Sequence, residues 1–135
     1  MKTLSFKIAM LFFLSINFTS CAQSAAVEKN NVVSLISPQE LKAKLGDDIL
    51  LIDIRTPQEF AQGHISGAKL INFFDPDFMQ QMSKLDRSKE LYIYCRSGHR
   101  SGKATENLKT VGFPKIHDLK GGINNWYQNN MKIVK

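Results

Sequence analysis

Cysteine is nearly missing from this chain: among 135 residues only Cys21 and Cys95 occur. That scarcity excludes a disulfide framework and a multi-cysteine metal centre. Neither cysteine belongs to a C-x-x-C pair, so the resolving thiol of a dithiol redox protein is absent; a redox role would need glutathione or another small thiol. Histidine is sparse too, and His64, His99 and His117 show no ligand spacing with Cys95, so no metal site is expected. No internal repeat, low-complexity tract or cofactor fingerprint occurs, and no cofactor is implied. Basic residues are scattered rather than gathered in a dense stripe, which argues against a nucleic-acid partner.

What remains is the composition of an ordinary globular protein, 43% hydrophobic and 22% charged. The length gives room for one compact domain whose core needs no disulfide or structural metal. The formal charge is +6. Setting aside Lys2 and Lys7 leaves 16 basic against 12 acidic residues, or +4, a mild field that favours small anions.

Residues 1–20 read as a signal peptide. Lys2 and Lys7 precede the apolar run Ile8 to Ile16, which is too short to span a bilayer and suits the core of a secretory signal. Phe18-Thr19-Ser20-Cys21 resembles a bacterial lipoprotein box, with Phe18 in place of the usual leucine. On that reading Cys21 becomes the lipidated first mature residue, and the protein is exported, periplasmic and held at the membrane by its lipid. Ordinary cleavage after Ala25 or Ala26 is the alternative and would discard Cys21. Either way Cys21 does not pair with Cys95, which is left as a lone thiol. Residues 21–31 are small and polar and read as a tether to a domain over 32–135.

Within that domain strands and helices alternate. Val32 to Leu35, the apolar run Ile49 to Ile54, Lys69 to Asn72, Leu91 to Tyr94 and Ile116 to Leu119 read as strands. Two helix starts share a pattern: Ser37-Pro38-Gln39-Glu40 and Thr56-Pro57-Gln58-Glu59 each offer a capping hydroxyl, a proline and a glutamate reaching back. Phe78, Met82 and Leu85 mark a further helix, as do Ala104, Leu108 and Val111 from Ser101 onward, and Ile123, Trp126 and Tyr127 close the chain. The expected architecture is an α/β three-layer sandwich around a mainly parallel sheet, with ligands beyond the carboxyl ends of the strands.

Cys95 stands at such an end. It opens the loop Cys95-Arg96-Ser97-Gly98-His99-Arg100-Ser101 between a strand and a helix. A tight turn there would aim backbone N–H groups at one point above the sulfur, and the helix start would add its positive end. Gly98 supplies the freedom for the curl, and Arg96 and Arg100 add charge, with the residues not saying which turns inward. These features favour a thiolate over a thiol and suit a nucleophile that carries an anionic adduct. The structural alternative is a buried small hydrophobe at a strand end. His99 earns no firm role.

With these residues in view, the chain resembles a single-domain rhodanese-like protein from about Val33 to Asn130. Leu51-Ile52-Asp53-Ile54-Arg55 is similar to the family's strand ending in an acid and an arginine. The segment Glu59 to Ala68 is similar to its first signature, with Ser66 where proline is usual. Cys95 to Ser101 resembles its active-site loop, and Leu119-Lys120-Gly121-Gly122-Ile123-Asn124-Asn125-Trp126 its closing signature. The resemblance implies a sulfurtransferase that moves sulfane sulfur from a small anionic donor such as thiosulfate to a thiol or other thiophilic acceptor, through a persulfide on Cys95. It implies an anion cradle built from Arg96, Ser97, Gly98, His99, Arg100 and Ser101. Asp53 and Arg55 would shape the site, or simply form a satisfied polar pair. A related cysteine phosphatase would carry one more residue between Cys95 and Arg100, which here span six. A binding module that does no chemistry would be expected to lack the cysteine.

Overall fold

The structure, a computed structural model, describes residues 32–135; the residues read above as a signal peptide, a lipidation site at Cys21 and a tether lie outside the described residues. Five strands form one sheet: β1 (Val33–Ile36), β2 (Leu50–Asp53), β3 (Lys69–Leu70), β4 (Leu91–Tyr94) and β5 (Ile116–Leu119). Their order is β1-β5-β4-β2-β3, and every pair is parallel. The central strand β4 is buried at all four positions, as a strand covered on both faces must be. Five helices connect the strands: α1 (Pro38–Lys44), α2 (Pro57–Ala61), α3 (Phe78–Ser83), α4 (His99–Leu108) and α5 (Gly122–Gln128).

The side-chain alternation of the strands divides the core into two layers. On one face Ile52, Ile54, Ile93, Cys95 and Ile116 pack with Phe78 and Met82 of α3 and with Ala104 and Leu108 of α4. On the other, Leu51, Tyr92, Tyr94 and Leu119 pack with Leu41 of α1 and with Ile123 and Trp126 of α5. The result is the three-layer α/β sandwich expected from the alternation of elements.

Both anticipated capping boxes form. Ser37 Oγ accepts from Glu40 N at 3.2 Å while Ser37 N donates to Glu40 at 2.7 Å. Thr56 Oγ1 accepts from Glu59 N at 3.3 Å while Thr56 N donates to Glu59 at 3.0 Å. Each box pairs two amides that a helix start otherwise leaves without partners.

Two boundaries depart from the sequence reading. The third strand pairs over only two residues, although Ile71 N and Phe73 N still bond to Asp53 O and Ile54 O. Helix α4 begins at His99 rather than Ser101, so His99 and Arg100 form its first turn instead of the loop. Its N-cap is Gly98 at φ 93°, a left-handed conformation that gives no side-chain cap and so leaves no capping signature in the sequence.

Candidate active site around Cys95

The carboxyl end of β4 delivers Cys95 onto the start of α4. Its side chain is 1% exposed, and Gly98 N donates to Sγ at 3.2 Å. Ser101, itself fully buried, places Oγ 3.6 Å from Sγ and 3.3 Å from the Gly98 carbonyl. The first amides of α4 have no intrahelical acceptor, and no side chain caps them. Sulfur therefore sits where backbone N–H dipoles and the positive end of a ten-residue helix converge. The left-handed turn at Gly98 makes the curl possible: a Cβ there would meet nothing nearer than the Gly121 amide at 3.5 Å, so conformation and not space demands glycine.

The base of the loop is clamped from the other end of the chain. Ile123 N donates to Cys95 O at 2.9 Å and Asn124 N to Arg96 O at 3.0 Å. Those bonds need α5 to approach the backbone of residues 95 and 96 very closely. Gly122, at φ 59°, is the contact point: a Cβ would collide with Cys95 O and lie 2.7 Å from the Arg96 carbonyl group. The paired glycines of the closing signature thus fix the position of the Cys95 loop.

Of the two loop arginines, Arg100 turns inward. Its guanidinium grips Glu59 with two bonds, Nη1 to Oε2 at 2.8 Å and Nη2 to Oε1 at 2.7 Å, and lies 5.6 Å over the Phe74 ring. The bond to Glu59 raises the Arg100 pKa, and the Cys95 side chain acts on it in the same direction. Arg96 and Ser97 are exposed, as is His99. Arg96 joins Arg55, Glu59, Asn124 and Tyr127 in lining an open cleft of about 260 Å³ beside the loop.

Asp53 and Arg55 form a closed pair. Arg55 Nε donates to both carboxylate oxygens at 2.9 Å, and Nη2 donates at 2.6 Å to Asp53 and at 2.8 Å to Gly63 O. Both residues are buried, with Arg55 5.7 Å from the Tyr94 ring. Tyr94 in turn accepts from Ile65 N at 3.1 Å, and its phenol is raised far above its ordinary range by burial and by Asp53. This network ties β2 and β4 to the segment after α2 and leaves Arg55 only an edge in the cleft.

Two residues that the sequence reading left out of the site belong beside it. Glu59 was legible as a capping glutamate, but the same carboxylate holds Arg100 across 41 residues of chain. The Arg100 bond, aided by the Thr56 amide, lowers its pKa from 4.5 to about 2, against the opposing effect of burial. Asp118 on β5 is 3% exposed, and its Oδ1 has no hydrogen-bond partner. An acid inside the short strand Ile116–Leu119 was the signal available for it. Among the described residues, no group of three or more His, Cys, Asp or Glu side chains is placed to hold a metal ion.

Fold and site together define a class: parallel α/β sandwiches in which a cysteine at a strand end curls over the uncapped start of a helix. Comparison with known proteins makes the class specific. Residues 37–129 match the model of the rhodanese-like domain, and the chain belongs to that family. It is 36% identical over 113 residues to a sulfurtransferase of Allochromatium vinosum, covering 76% of this chain and 96% of the relative. It is 34% identical over 109 residues to the chloroplastic thiosulfate sulfurtransferase 16 of Arabidopsis thaliana, covering 70% and 91%. The crystal structure of a rhodanese-like domain protein from Staphylococcus aureus superimposes with a TM-score of 0.61 at 32% identity, covering 69% of this chain and 90% of that one.

Proposed function

We propose that this protein is a sulfurtransferase in which Cys95 carries the travelling sulfur as a persulfide. The observation that supports this most directly is the seat of Cys95 Sγ, 3.2 Å from Gly98 N at the uncapped start of α4. Such a seat stabilises negative charge on sulfur. In the first half-reaction the Cys95 thiolate attacks the outer sulfur of thiosulfate. The S–S bond breaks, sulfite leaves with its electron pair, and the persulfide remains. An acceptor thiolate then takes the outer sulfur and the Cys95 thiolate is restored. The charge stays in the cradle throughout, so one set of donors serves both halves.

The loop of six residues from Cys95 to Arg100 suits one added sulfur better than a phosphoryl group. Ser97, His99 and Arg96 stand at its exposed rim, where donor and acceptor would meet them. Arg100 supplies charge from behind, with Glu59 holding its direction. The leader adds a location: export to the periplasm, with lipid on Cys21 as the anchor. Mass spectrometry of the processed N-terminus tests that part, and a Cys21 without lipid would refute it.

The chemistry is tested by intact mass. The domain incubated with thiosulfate is expected to gain one sulfur atom, to lose it to an added thiol, and to gain none as Cys95→Ser. Failure to gain sulfur from thiosulfate or any other sulfane donor would favour a binding module.

A further inference from the structure

The surface between the end of α1 and the segment after α5 carries a groove that the mechanism above does not use. It lies on the sheet face opposite the one that Cys95 and α4 share. Its wider part holds about 360 Å³ and is walled by Leu45, Trp126 and Met131, with the exposed Lys42 and Lys132 beside them. A second hollow of about 230 Å³ adjoins it through Leu45 and Ser66 and runs on past Ile49 to Leu51. Leu45, Ile49 and Met131 are only partly buried against the core of this face, so apolar side chains line both hollows and still reach solvent. None of these residues lines the cleft beside the Cys95 loop.

Local contacts hold the walls in place. Asn130 adopts φ 54°, a left-handed conformation that ends α5 and turns the chain back. Met131 N then donates to Trp126 O at 3.2 Å, and Trp126 Nε1 donates to Lys132 O at 2.9 Å. With its N–H spent on that carbonyl, the indole offers the groove only carbon surface. The same two bonds pin the backbone that carries one apolar wall and one cation.

Charge selects the ligand. Lys44, in the last turn of α1, is answered by Asp47 at 3.6 Å. Lys42 and Lys132 have no acidic partner among the described residues. The groove thus has two unanswered positive charges at one end, apolar walls along its length, and an acid already paired with lysine at the other. We propose that it binds a single-chain amphiphilic anion, an organic carboxylate whose apolar chain lies along Leu45, Ile49 and Leu51 while its head meets Lys42 and Lys132. Exposed lysines alone hold an anion weakly, and an apolar wall alone does not choose the sign of a charge; the groove joins the two.

Trp126 is the one tryptophan of the chain, and because it lines the groove its fluorescence reports occupancy without a label. The protein is titrated at neutral pH with decanoate, kept below its micelle concentration, and with decylammonium and decanol as chains of equal length with other heads. A saturable change in Trp126 emission is expected with decanoate, and binding about tenfold weaker with either control, the effect of two partly exposed ion pairs. Across hexanoate, octanoate and decanoate, affinity should rise by about threefold per methylene as more chain is buried. The double variant Lys42→Gln, Lys132→Gln alters only exposed side chains; it should bind decanoate about tenfold more weakly and decanol as before. The proposal is overturned by the absence of a saturable response, by equal binding of decanoate and either control, or by a double variant that binds decanoate like wild type. A response abolished instead by Arg96→Gln would place the carboxylate at the Cys95 loop and overturn it too. None of these readouts requires sulfur transfer, so this proposal and the sulfurtransferase reading stand or fall separately.

Discussion

Glu59→Gln isolates one ion pair beside the site. Glutamine at the third helical position keeps the capping box with Thr56, so the change removes charge from the Arg100 contact and little else. A carboxylate lowered from 4.5 to about 2 corresponds to about 3 kcal/mol at face value. A quarter of the Glu59 side chain is wet, and screening at such a partly exposed pair reduces this to about 1–2 kcal/mol. The sign follows from a pKa that is depressed on folding. The stabilisation is complete above the unfolded value of 4.5 and is lost as pH falls through the folded value near 2. Urea unfolding of wild type and variant should therefore differ by about 1–2 kcal/mol at neutral pH, with the gap shrinking to less than half of that near pH 3. A gap of the same size at both pH values would show that the loss came from packing or capping and not from the ion pair.

Three further outcomes follow from named contacts. Gly122→Ala should destabilise by about 2–4 kcal/mol and slow persulfide formation, because its Cβ meets Cys95 O and the Arg96 backbone; a variant with native melting temperature and turnover would refute the clamp. Asp53→Asn leaves the buried Arg55 charge without its counter-ion and should cost about 3–5 kcal/mol in urea unfolding. Arg100→Ala should raise the thiosulfate KM by about tenfold, the effect of losing one charge near an anion, while leaving Cys95 able to be alkylated; an unchanged KM would place the donor away from Arg100.

Elements whose cause is local were legible in the residues. The apolar run from Ile49 announced a strand buried on both faces, and Ser37-Pro38 and Thr56-Pro57 marked helix starts that the structure places at Pro38 and Pro57. The start of α4 was read two residues late because its cap is a left-handed glycine that contributes no side-chain signal. Contacts between distant segments were not legible. Nothing in the spacing of Glu59 and Arg100 joins them, since the capping role already accounts for the glutamate. Which arginine turns inward was open in the sequence for the same reason. Asp53 and Arg55 were visible as a pair, but their geometry shows a closed lock in which every donor of Nε and Nη2 is aimed at Asp53 or Gly63. Asp118 follows His117 in β5, and nothing in the sequence distinguishes it from an exposed strand acid.

The strand order has a consequence for how the chain comes into being. β1 is made first, yet its one neighbour in the sheet is β5, which is made last and slots between β1 and β4. A ribosome releasing this chain leaves the first strand without a partner until nearly the whole domain has emerged, and β4 meanwhile shows a bare hydrogen-bonding edge. The segment that fills that gap also carries the glycines that seat the loop. A nascent chain or a product truncated before β5 therefore has neither a closed sheet nor the clamp on the Cys95 loop: the seat of Cys95 is assembled only when synthesis is nearly over.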